Sequence, residues 1–105
     1  MIQGMEAYVG RKLSPFHINK YGERIKKYGY LRFCPNYYSE NIHITMDIYF
    51  DEDYRISNFY GDKYYNADRG LYTRTPAYPR DFSKRDIAYL CRVVNSITVK
   101  EEVVE

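Results

Sequence analysis

Between Asn41 and Phe50, apolar and polar residues alternate almost without a break. Ile42, Ile44, Met46, Ile48 and Phe50 fall on one side of an extended chain and His43, Thr45, Asp47 and Tyr49 on the other, as a half-buried strand demands. Asp51, Glu52 and Asp53 then read as a charged turn, and 54–60 resumes as the second arm of an antiparallel hairpin. Gly61-Asp62 is expected to break the chain again. An earlier strand over about 30–34 and a later one over about 71–75 bring the expected sheet to three or four strands. The rest of 61–82, with Tyr64, Tyr65, Gly70, Pro76 and Pro79, reads as a long loop of the kind that is often functional.

Two segments carry the other period. Ile18, Tyr21, Ile25 and Tyr28 recur at spacings of three and four, which draws one apolar stripe on a helix over about 15–28. Ser14-Pro15 is a good start for it, a hydroxyl at the N-cap and a proline at the first helical position. Gly22 weakens this helix and Gly29 ends it. A second helix is expected over about 84–96. Ser83 followed by Asp86 resembles a capping box, Phe82 and Ile87 are placed for a hydrophobic staple, and Ile87, Leu90, Cys91, Val94 and Ile97 give the core stripe. The last residues, TVKEEVVE, are expected to fray or to add a short strand.

The expectation is therefore an α+β domain, a small antiparallel sheet of three to four strands with an N-terminal and a C-terminal helix packed on one face. The order is similar to that of double-stranded RNA-binding domains, and SKRD at 83–86 resembles the basic start of their last helix. Ile87, Tyr89 and Leu90 occupy that family's alanine positions here, and about twenty extra residues precede the helix. The resemblance is one of element order, which implies a fold class and no function.

Composition narrows the class. The 105 residues, 45% hydrophobic and 29% charged, suit a single domain spanning 1–105. No uncharged apolar run approaches the roughly 18 residues of a membrane span, and the first residues lack the apolar core of a secretory signal, so an intracellular location and no membrane partner are expected. If the chain is viral, that location is the host cytoplasm. Cys34 and Cys91 have no ligand-like spacing and are expected as a reduced, buried pair.

Charge and tyrosine change the picture more. The net charge is +2, but residues 11–33 hold seven basic side chains against Glu23 alone, and 34–68 hold seven acids against Arg55 and Lys63. Such segregation bears on partner choice and encounter rate. Fourteen tyrosines and five phenylalanines exceed what a small core can take, so several rings must be exposed, and exposed tyrosines mark recognition surfaces. On the first helix Lys20, Arg24 and Lys27 line up at spacings of four and three. These three, with Tyr49, Tyr64, Tyr65, Arg69 and Arg74, are the expected partner-binding residues.

Catalytic chemistry is not expected. His43 and Asp47 share a strand face, with Asp51, Glu52 and Asp53 just beyond, a set that could hold a divalent cation for phosphodiester hydrolysis, yet no second histidine or lysine follows at a diagnostic spacing. His17 reads as a capping or surface residue. No glycine-rich phosphate loop is present. No cofactor and no metal are expected. The build resembles that of accessory proteins from phages and other mobile elements, among them the anti-CRISPR proteins. It implies a small non-enzymatic binder and inhibitor whose protein partner is a nucleic-acid-handling enzyme or complex. Direct nucleic-acid binding through the basic helix and exposed tyrosines is the alternative, and a metal-dependent nuclease the third.

Overall fold

The computed structural model describes residues 1–35, 42–66, 72–76 and 82–99, and at 42, 43, 63–66 and 72–76 the backbone alone. In chain order these residues form a short 3-10 turn at Glu6–Tyr8, helix α1 at Pro15–Tyr28, strands β1 at Tyr30–Phe33, β2 at Ile42–Phe50, β3 at Ile56–Asn66 and β4 at Tyr72–Pro76, and helix α2 at Lys84–Ile97. β1, β2 and β3 pair antiparallel in one sheet, so the α+β class stands. β4 runs along β3 from Asp62↔Pro76 to Asn66↔Tyr72.

The helix ends follow from their residues. At α1 the Ser14 Oγ accepts the His17 N–H at 3.2 Å and also meets the His17 ring, which makes His17 part of the cap. Gly29 closes the helix in the left-handed region at φ 84°, where a side chain would be strained. At α2 the capping box is complete, with the Ser83 N–H donating to Asp86 Oδ2 at 2.9 Å and the Asp86 N–H to Ser83 Oγ at 3.2 Å.

From Ile44 to Phe50 the even positions of β2 hold the core. Ile48 lies opposite both Leu31 and Phe59, and all three are buried with Ile44, Met46, Phe50 and Ile56. Ile25 of α1 and Leu90, Val94 and Ile97 of α2 belong to the same cluster. Each such side chain contributes roughly 1.5–3 kcal/mol by leaving water. Tyr28, expected in the α1 stripe, is instead 56% exposed. Gly29 turns the chain into β1 directly after it, which takes Tyr28 off the packed face.

Three expectations are corrected. Gly61-Asp62 does not break the chain, because β3 continues through it to Asn66. Gly61 serves a close approach, since a Cβ there would stand 2.1 Å from Cζ of Phe82. Cys34 is exposed rather than buried, lying just past the end of β1, while Cys91 is half-buried with its Sγ 3.8 Å from Met5 Sδ, and both thiols are free. The N-terminal residues, given no element by the periodicity, are part of the fold. Ile2, Met5 and Leu13 are buried, and the N–H groups of Ile2, Gly10 and Leu13 donate to the carbonyls of Phe59, Ile56 and Tyr54 at 3.0, 2.8 and 2.9 Å. The start of the chain thus satisfies backbone groups of β3 and its turn that β2 leaves open. Thr98 pairs with Leu13 and the Val99 N–H donates to Lys12 O at 3.0 Å, so the segment after α2 joins the same seam.

No helix among the described residues is long and apolar enough to cross a membrane.

Candidate functional site

The odd positions of β2 build the other face. Tyr49 stands opposite Tyr30 of β1, and Asp47 opposite both Arg32 of β1 and Tyr60 of β3. The Tyr30 and Tyr49 ring centroids are 5.1 Å apart with the planes tilted by 35°, and Tyr49 meets Tyr60 edge to face at 5.2 Å. One aromatic ladder therefore crosses three strands, in geometries that aromatic pairs favour. Tyr60 is 49% exposed, Tyr30 and Tyr49 are half-buried, and the Asn58 amide donates to the Tyr60 hydroxyl at 2.8 Å, which fixes that ring's tip.

Beside the ladder lies an ion pair between the two oppositely charged sequence blocks. Arg32 Nε donates to Asp47 Oδ1 at 2.8 Å and Nη2 to Oδ2 at 3.1 Å, and the guanidinium carbon is 5.4 Å from the Tyr30 ring centroid. The Asp47 side chain is only 7% exposed whereas that of Arg32 is 43% exposed. Burial first, then the charge of Asp47, hold the Tyr49 phenol above its ordinary 10.0. Arg32→Ala is expected to destabilise the fold by ~2 kcal/mol, below the 3–5 kcal/mol of a fully enclosed pair because Arg32 reaches water. Asp47→Asn, which leaves no buried charge behind, should cost less in the same urea melts. Equal costs would mean that the carboxylate does not depend on Arg32.

The expected binding residues divide into groups. Lys20, Arg24 and Lys27 are all exposed on α1, and the ammonium groups of Lys20 and Lys27 each sit 5.2 Å from the ring centroid of the tyrosine that follows, Tyr21 and Tyr28. Tyr49 belongs to the ladder. Tyr64 is in β3, paired with His43 and Arg74, and Tyr65 with Ile42 and Thr73, so the backbone brings Tyr64 and Arg74 to one register line. Arg69 lies outside the described residues. Tyr30, Arg32 and Tyr60 are not among the expected binding residues, and the sequence marks Asp47 only as a cation ligand. Their signal was the alternation of β2, and it needed the strand register to become legible.

Two of the residues considered for a divalent cation are committed elsewhere. Asp47 is held by Arg32, and one oxygen of Asp51 accepts the N–H groups of Asp53 and Arg55 at 2.9 and 3.0 Å, which closes the β2–β3 turn. Among the described residues no three His, Cys, Asp or Glu side chains come together as a metal site.

That turn and α1 border a cleft of about 300 Å³ lined by Ile25, Lys26, Phe50, Asp51, Glu52 and Tyr54. Tyr54 adopts φ 60°, a left-handed conformation unfavourable for a bulky residue, and its hydroxyl lies 3.3 Å from where a Cβ on Gly22 would be. Gly22 therefore makes room for the ring that walls the cleft.

Comparison of the chain with protein-family models, curated proteins and solved structures finds no match.

Proposed function

We propose that the chain is a non-enzymatic binding protein that covers part of a protein partner with the tyrosine face of its sheet. In this reading the sheet has four strands, both helices lie together on its core face, and the opposite face is left for the partner. The observation that carries it is the Tyr30–Tyr49–Tyr60 ladder, a continuous aromatic surface across three strands with Arg32 at its margin. Tyrosine and arginine are the side chains that dominate protein interfaces. Among the described residues of this face, the charge of Arg32 is matched by Asp47. What supports a nucleic-acid-handling target is the exposed acidic turn Asp51–Asp53, whose sign suits a surface built to receive phosphates.

The test is capture of partners from the source cell, with and without nuclease, followed by affinity measurement on the captured protein. Capture should survive nuclease. Tyr60→Ala should weaken binding by about 2 kcal/mol or more while leaving the melting midpoint nearly unchanged, because that ring is half in water. Capture lost on nuclease treatment, or Tyr60→Ala binding as the wild type does, overturns the proposal and favours direct nucleic-acid binding through α1.

A further inference from the structure

One side of α1 carries cations and rings and no acid. At 3.6 residues per turn, an arc of about 140° runs from Phe16 to Tyr21 and holds between them Lys27, Lys20, Arg24, His17 and Tyr28. Glu23, the acid of this helix, falls just outside the arc beside Phe16. Phe16 is 69% exposed and Tyr28 56%. Lys20, Arg24 and Lys27 are exposed and make no ion pair among the described residues. His17 meets Phe16 edge to face at 5.0 Å and stacks on Tyr21 at 6.1 Å, while the Lys20 and Lys27 ammonium groups lie 5.2 Å from the rings of Tyr21 and Tyr28. Rings and charges thus interleave on one surface. The cleft lies on the opposite side of the helix, against Ile25 and Lys26, so the acidic turn that borders it does not face this arc.

We infer that this face of α1 binds single-stranded nucleic acid, with Lys20, Arg24 and Lys27 on its phosphates and unstacked bases against Phe16 and Tyr28. Along the helix axis the cations stand about 6 and 4.5 Å apart, and the two rings flank them about 18 Å from each other. Cations beside exposed rings are what a single strand uses, since every base offers a face to stack. A duplex keeps those faces inside its own stack and would leave Phe16 and Tyr28 idle. An acidic polypeptide would meet the charges and leave both rings without a stacking partner. An anionic membrane would need aliphatic side chains to enter it, and those of α1, Ile18 and Ile25, are packed against the core or in it. Three phosphates give a contact that salt weakens readily, and it is separate from the tyrosine ladder of the sheet.

Fluorescence anisotropy of the full chain with a labelled, mixed-sequence oligonucleotide of about twelve nucleotides tests this. The wild type should bind at tens of micromolar or tighter in ~50 mM salt, with a log–log salt slope of about −2 from three phosphates. K20E/K27E should weaken binding at least about tenfold. K84E/R92E, which makes the same charge change at exposed positions of α2, should weaken it far less. Phe16→Ala and Tyr28→Ala should each weaken it about fivefold or more, with circular dichroism and melting midpoint unchanged, because both rings stand mostly in water. Tyr60→Ala should bind the oligonucleotide as the wild type does, which keeps this inference apart from the protein contact proposed for the sheet. No binding at low salt, equal losses in the α1 and α2 charge variants, or ring variants that bind as the wild type does each overturn it. So does polyglutamate of similar length binding as tightly as the oligonucleotide, which would assign the stripe to an acidic protein surface.

Discussion

Ile48→Ala should destabilise the protein by ~2–5 kcal/mol, toward the upper part of that range. Ile48 is fully buried and lies opposite Leu31 on one side and Phe59 on the other, themselves buried, so neighbouring strands cannot close over the space left behind. Thr45→Val on the other face provides the contrast. The Thr45 hydroxyl is buried and has no hydrogen-bond partner among the described residues, so replacing it with a methyl should be neutral or stabilising. Urea melts of the two variants decide the matter. Comparable losses at both positions would mean that the two faces of the sheet are not divided as described.

Gly61→Ala is the second large effect expected. The new methyl would stand 2.1 Å from Cζ, 2.9 Å from Cε1 and 3.1 Å from Cε2 of Phe82, a ring that is only 9% exposed. Both cannot occupy the space. Displacing the ring forfeits most of its burial, about 2–3 kcal/mol, together with strain at the start of α2. The cause can be isolated with a double-mutant cycle. In a Phe82→Ala background, which already lacks the ring, Gly61→Ala should cost almost nothing. An undiminished cost there would show that glycine is needed for its backbone and not for the contact.

The helices were legible from local signals. Ser14-Pro15 and Gly29 bracket α1, and Ser83 with Asp86 opens α2, because caps satisfy backbone groups within one turn and so leave their mark within a few residues. The core face of β2 was legible for a similar reason, since alternation is a property of a single strand. The N-terminal residues were not. Ile2, Met5 and Leu13 follow neither period, and the backbone N–H groups of Ile2, Gly10 and Leu13 bond to β3 and to the turn before it, more than forty positions away. A chain scanned for its own periodicity cannot reveal an element whose order comes from a distant edge.

The candidate site marks the same boundary more sharply. The sequence by itself determined that the chain holds two capped helices, a strand with one core face, and more tyrosine than a core can take. It did not determine which tyrosines meet. Phe50 pairs with Ile56, but Tyr49 pairs with Asn58, so one residue is passed over at a bulge directly after the turn. Without that bulge Met46 would face Tyr60, which would put Tyr60 on the core side and Phe59 on the other, since a slip of one residue turns every later side chain to the opposite face. With it, Phe59 is buried opposite Ile48, and Tyr60 joins Tyr49 and Tyr30 on the open face. Only the tertiary structure decided this, because the register of β3 lies in its pairing with β2 and in the burial of Phe59 with residues distant in sequence, and not in any spacing within β3 itself.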